Sequence, residues 1–216
     1  MSKSLSGKRA FVTGGSRGIG AAIVQRLAAD GADVGFTYAN AADRANAVVQ
    51  GVEAAGAKGL AIRADSSDAA AVSDAVEQTA ARFGGLDILV NSAGIIVLGP
   101  VDEIKLADFD RIVAVNIRAV FVAIQAALKH MKSGSRIINI GSTNADRMPF
   151  VGGSVYAMTK AALVGLVKGV ARDLGPRGIT INNIQPGPID TESNPASGDF
   201  SKVMLSLMAL QRYGTA

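Results

Sequence analysis

The sequence predicts a doubly wound parallel α/β sheet, on three observations. Apolar runs of strand length recur along its 216 residues. Nearly every run is followed by a longer stretch with helical spacing, and the runs lack the polar alternation of a sheet with one face in water. Strands that are apolar on both sides need helices over both faces, which is the doubly wound arrangement.

The elements follow in order. The first strand is read at 9–13 and the helix after it at 19–29, where Ile19, Ile23, Val24 and Leu27 share one face. A second strand at 33–38 leads to a helix at 42–55, whose inward stripe is Ala45, Val48, Val49 and Val52. Strands at 59–64, 86–91, 136–140 and 179–185 come next, interleaved with helices at 68–83, 106–131 and 155–174. With no repeat, linker or low-complexity segment, residues 1–216 read as a single domain.

Composition removes much chemistry. There is no cysteine, so thiolate nucleophiles, disulfides and cysteine metal sites are absent, and with one histidine, His130, no metal site is expected. His130 lies in a polar helix end and reads as a solvated residue facing the helix dipole. Net charge is +4, yet charged residues are 19% of the chain and no basic run of five occurs. That pattern argues against nucleic acid and suits an anionic cofactor or substrate. Unbroken apolar runs fall short of the roughly 20 residues of a bilayer span, and residues 1–8 hold no apolar signal core, so a cytoplasmic protein with no membrane contact is expected.

Open α/β sheets bind ligands beyond the carboxyl ends of their strands. The first such loop is Thr13-Gly14-Gly15-Ser16-Arg17-Gly18-Ile19-Gly20, a glycine-rich turn running into a helix. Missing Cβ atoms let a pyrophosphate approach the backbone, and the helix N-terminus favours its charge. The spacing is Gly-x-x-x-Gly-x-Gly. Further loops carry Asn91-Ser92-Ala93-Gly94, Val115-Asn116-Ile117, Gly141-Ser142, Tyr156-Ala157-Met158-Thr159-Lys160 and Pro186-Gly187.

These motifs, in order over about 8–188, resemble the short-chain dehydrogenase/reductase family, most closely its 3-oxoacyl-(acyl-carrier-protein) reductase-type group. The resemblance implies a Rossmann sheet of order 3-2-1-4-5-6. It also implies a further helix and last strand that the 216 residues do not contain, with 190–212 as a lid segment. It implies a catalytic set of Asn116, Ser142, Tyr156 and Lys160. The cofactor residues it implies are Gly14, Ser16, Arg17, Gly18, Ile19, Gly20, Tyr38, Asn40, Asp65, Ser66, Asn91, Ala93, Gly94, Tyr156, Lys160, Pro186, Gly187, Ile189 and Thr191. A homotetramer formed through the helices of Asn116 and Tyr156 is implied as well.

Reducing a carbonyl by hydride leaves an alkoxide, so the site must supply a proton where that oxygen sits. Tyr156 is the natural acid. Lys160, one helical turn later, is expected to lower its pKa and, by the resemblance, to hold the nicotinamide ribose. Ser142 would donate to or orient the substrate oxygen, and Asn116 would hold a water that relays protons to Lys160. Ser142 lies 14 positions before Tyr156, one more than in many relatives, and Thr143 is the second choice.

At the end of the second strand stand Tyr38, Ala39 and Asn40, with no carboxylate to repel a 2′-phosphate, while Arg17 resembles the basic residue at that position in NADP-using relatives. NADPH is therefore expected over NADH. Asp65 matches the family position that bonds the adenine amino group. Ile95, Ile96, Val97, Leu98, Met148, Phe150 and Pro188 imply a mainly apolar substrate pocket, or are ordinary loop packing. The expected function is NADPH-dependent reduction of a small-molecule carbonyl compound or acyl thioester to an alcohol. The alternative is a non-catalytic NADP-binding regulatory or structural protein. Lys129, Lys132 and Arg172 offer a patch for an acidic carrier, or are simply solvated helix-end charges.

Overall fold

The computed structural model describes residues 3–216. Six parallel strands form one sheet in the order β3-β2-β1-β4-β5-β6, as expected. They are β1 (Arg9–Thr13), β2 (Asp33–Tyr38), β3 (Gly59–Arg63), β4 (Ile88–Asn91), β5 (Arg136–Ile140) and β6 (Thr180–Ile184). The helices α1 (Gly18–Ala29) and α2 (Ala42–Ala54) cover one face. On the other lie α3 (Ala69–Phe83), a broken helix with pieces α4 (Leu106–Val113) and α5 (Ala119–Ala127), and α6 (Ser154–Leu174).

Alternation along β1 builds both cores. Phe11 faces the layer containing Val76, Leu89, Ala123, Ile137 and Leu163, while Ala10 and Val12 face Val24, Val34, Phe36 and Val52. Asp87, just before β4, ties the amino ends of β1 and β4 together: it accepts from the Arg9 backbone N–H at 2.9 Å and from Arg9 Nε at 2.7 Å. Asp68 caps α3 by accepting from the N–H groups of Ala70 and Ala71, and Gly84 ends that helix in the left-handed region.

Four features depart from the expected elements. The helix read at 106–131 is interrupted by a π-turn (Ala114–Arg118) and stops at Ala127, because a 3.6-residue period cannot reveal an inserted residue. His130 therefore lies beyond the helix. It pairs with Glu77 at 2.6 Å, beside Lys129, which reaches the same carboxylate at 2.9 Å. Hydrogen bonds from Lys129 and His130 hold the Glu77 carboxyl below the ordinary range, and Lys129 is thus already paired within the chain. The segment read as a lid holds a short helix, α7 (Asp199–Ser206), flanked by a two-strand ladder of β7 (Ile189–Asp190) and β8 (Gly214–Thr215). Finally, α6 with its 3-10 extension, Ser154–Arg177, is long and apolar enough by length and composition to cross a membrane, which run length alone did not reveal. Here it lays Val155, Leu163 and Leu174 into the fold.

Candidate active site

The glycine turn folds tightly because its neighbours leave no room for side chains. Gly14 sits at φ +70°, and a Cβ there would stand 2.9 Å from the Ala93 Cα, so the turn presses on the loop after β4. At Gly20 a Cβ would run into the Gly14 carbonyl. The Gly14 N–H donates to Thr37 Oγ1 and the Gly15 N–H to the Thr37 carbonyl, both at 2.9 Å, which fixes the turn against β2. Thr13 Oγ1 accepts from Ser92 and Ala93 at 3.0 Å each, fixing the neighbouring loop. No side chain caps α1, so its first N–H groups remain available at the turn.

Above these loops runs a cleft with two joined lobes. One is lined by Gly14, Ser16, Arg17, Gly18, Ile19, Gly20, Tyr38, Asn40, Asp65, Ser66, Ala93, Gly94 and Thr191. The other is lined by Gly94, Ser142, Tyr156, Lys160, Pro186, Gly187, Ile189 and Thr191. Ile19, Ser92, Gly94, Ile95, Ile140, Thr191 and Ser193 border both. An elongated cleft with an uncapped helix terminus near its middle and hydroxyl and ammonium groups at one end fits a dinucleotide.

Of the residues expected at the site, Asn91 and Asn116 are buried and line neither lobe. Asn91 is buried and donates to Asn139 Oδ1 at 2.8 Å, across the register that pairs the two residues on β4 and β5. The Asn116 amide is bonded at both its oxygen and its nitrogen. Its Oδ1 accepts from the Ile95 N–H at 2.9 Å, and its Nδ2 donates to the Ile95 carbonyl at 2.9 Å and to Thr159 Oγ1 at 3.0 Å. The side chain thus pins the loop after β4 to the π-turn and to α6.

Geometry separates Ser142 from Thr143. Ser142 shares the lobe of Tyr156 and Lys160, whereas Thr143 borders an adjoining apolar pocket with Pro149, Met204 and Leu207. Burial pushes the Tyr156 phenol up, and the Ser142 hydroxyl beside it opposes that shift. Lys160 is buried and donates to the Ile140 carbonyl at 2.9 Å, with Nζ 5.8 Å from the centre of the Tyr156 ring. Burial pushes the Lys160 ammonium down to about 8. Burial outweighs the Ser142 hydroxyl at Tyr156, and the neighbouring ammonium is itself desolvated and donates to Ile140.

Asp65 accepts from the Ser67 N–H at 2.8 Å and the Ser67 hydroxyl at 2.9 Å, and with Arg111 nearby its carboxyl is held below the ordinary range. Sequence reasoning missed Thr37, Arg111, Glu192 and Ser193, which also line the cleft. Arg44 forms an ion pair with Glu192, linking the first turn of α2 to the segment after β7. No spacing rule joins residues so far apart in the chain.

Comparison with known proteins agrees with this geometry. Residues 8–201 match the short chain dehydrogenase family. The cyclic-di-GMP-binding biofilm dispersal mediator protein of Escherichia coli is 48% identical over 98% of this chain and 85% of its own length. A 3-oxoacyl-(acyl-carrier-protein) reductase of Staphylococcus aureus is 38% identical over 96% of this chain and 85% of its own. A short chain dehydrogenase of Burkholderia cenocepacia, solved in complex with NADP, superposes with a TM-score of 0.97 at 57% identity, covering 98% of this chain and 86% of that one.

Proposed function

The chain belongs to the short chain dehydrogenase family of oxidoreductases, and from that premise we propose that it reduces a carbonyl compound to an alcohol with NADPH. The observation that carries the reading is the meeting of Ser142, Tyr156 and Lys160 in a lobe continuous with the glycine turn. NADPH, when bound, supplies the hydride. Gly14, Ser16, Gly18, Ile19 and Gly20 would receive the pyrophosphate, Asp65 and Ser66 the adenine side, and Ala93, Gly94, Ile189 and Thr191 the nicotinamide side. Tyr156 gives its proton to the carbonyl oxygen as charge develops there, and Ser142 orients that oxygen. Lys160 holds positive charge beneath the same site.

Support for NADPH over NADH comes from Arg17, exposed at the cleft, and from Tyr38, Ala39 and Asn40, which place no carboxylate against a 2′-phosphate. The relative solved with NADP points the same way. Ile95, Ile96, Pro186 and Ile189 in the catalytic lobe favour an apolar ketone or acyl thioester. A homotetramer in the cytoplasm completes the reading; exposed Leu106, Phe121 and Met158 on α4, α5 and α6 are the apolar surface that such an assembly would cover.

The decisive experiment measures NADPH oxidation by purified protein over a panel of ketones, acyl thioesters, quinones and sugars. Turnover of an apolar ketone or acyl thioester is expected. No turnover on any of them would overturn the reading. A second reading is favoured by the E. coli relative's name: a regulatory protein that binds a cyclic dinucleotide. Titration with cyclic di-GMP in competition with NADPH separates the two. Tight binding of the cyclic dinucleotide, together with no turnover, would establish the second.

A further inference from the structure

The hydrogen bonds around Asn116 extend one residue further than the proposed catalytic set. Thr159 stands inside the Tyr156-to-Lys160 turn of α6 and is fully buried. Its hydroxyl donates to the Tyr156 carbonyl at 2.8 Å and is met by Asn116 Nδ2 at 3.0 Å. A threonine hydroxyl has one proton. Because that proton is committed to Tyr156, the oxygen faces Asn116 as an acceptor only, and the amide must turn its N–H toward α6. Its oxygen is left to the Ile95 N–H, and its second N–H goes to the Ile95 carbonyl. The hydroxyl and the Ile95 backbone groups thus agree on one orientation of the amide, in a chain running from Tyr156 through Asn116 to the loop after β4.

We propose that Thr159 is a positioning residue for carbonyl reduction, holding the loop that borders the cleft in register with Tyr156 and Lys160. The inference rests on the function proposed above. Ile95 and Gly94 line both lobes, and a Cβ on Gly94 would lie 3.5 Å from both Asn116 Oδ1 and Lys160 Nζ. A shift of this loop therefore moves one wall of the site relative to the proton donor. Thr159 itself lines neither lobe. It acts through Asn116 and the α6 backbone.

The test compares Thr159→Val, which keeps the shape and removes the hydroxyl, with Thr159→Ser, which keeps the hydroxyl and removes the methyl. Turnover uses the best carbonyl compound from the panel, and NADPH affinity is measured separately by fluorescence. For Thr159→Val, kcat is expected to fall about 10- to 100-fold, the scale of a small misplacement of reacting groups, with NADPH affinity changed less than about threefold. Thr159→Ser should restore kcat to near the parent value. If Thr159→Val does not fold, Thr159→Ala replaces it, since it removes the hydroxyl without setting a methyl against the Asn116 amide.

A Val or Ala variant with parental kcat overturns the inference, as does a Ser variant impaired as severely as Val, which would assign the effect to packing of the methyl. A parent without turnover on any carbonyl compound instead overturns the function reading, and the positioning role with it. Parental turnover leaves the Thr159 comparison to stand or fall alone.

Discussion

Burying an ammonium away from any carboxylate disfavours its charged form, and Lys160, turned toward the Ile140 carbonyl, is pushed down to about 8. Its unfolded value is near 10.5, so between these two values the unfolded chain binds more protons than the folded one. Stability should therefore rise as pH climbs through that window, and the burial penalty should be fully present below it. Urea titrations of parent and Lys160→Met at about pH 7 and about pH 10 check this. The parent is expected to gain stability relative to the variant at the higher pH; a constant difference would contradict it. Tyr156→Phe keeps the ring and removes the proton donor, so kcat is expected to fall at least about 100-fold with NADPH affinity little changed. Near-parental turnover in that variant would remove Tyr156 as the acid. At the other lobe, Arg17→Ala should cut kcat/KM for NADPH about 10- to 100-fold, the range of a lost charge-assisted bond, and leave NADH almost unaffected. Equal losses with both cofactors would argue that Arg17 serves the turn and not a 2′-phosphate.

At the scale of elements, the site depends on where a strand stops and a helix begins. The turn between β1 and α1 brings Gly20 against the Gly14 carbonyl, so a methyl at Gly20 must push the first turn of α1 away from the loop. Gly20→Ala is expected to lower the melting temperature by several degrees and to weaken NADPH binding at least about tenfold. Calorimetry and fluorescence titration measure both, and a variant with parental affinity would mean that the turn is looser than this packing implies. The second critical element is the π-turn at Ala114–Arg118. The apolar spacing of 106–131 announced a helix correctly, and Asn116 was visible as a motif residue. What the Asn116 amide bonds was not visible, because Ile95 lies 21 positions away and Thr159 lies 43 away.

Over the whole molecule, two buried layers hold the sheet, while several large apolar side chains remain exposed on α4, α5 and α6. Phe121 is 46% exposed and Leu106 72%. If the proposed tetramer covers them, Phe121→Glu should shift the sedimenting species to a smaller assembly without loss of secondary structure. An unchanged assembly would place the interface elsewhere. The sequence by itself determined the fold class, the order of elements and the loops bordering the cleft. Helical and strand periods and glycine spacings are local signals, carried by residues within a few positions of one another. The sheet order 3-2-1-4-5-6 was legible only through the family resemblance. Tertiary structure decided what each group does once placed. It put Ser142 rather than Thr143 beside Tyr156, turned Lys160 to Ile140, engaged the Asn116 amide and paired His130 with Glu77. Those outcomes depend on contacts between distant segments and on how deeply each group is buried, and a hydrogen bond or a desolvated charge exists only after those segments have met.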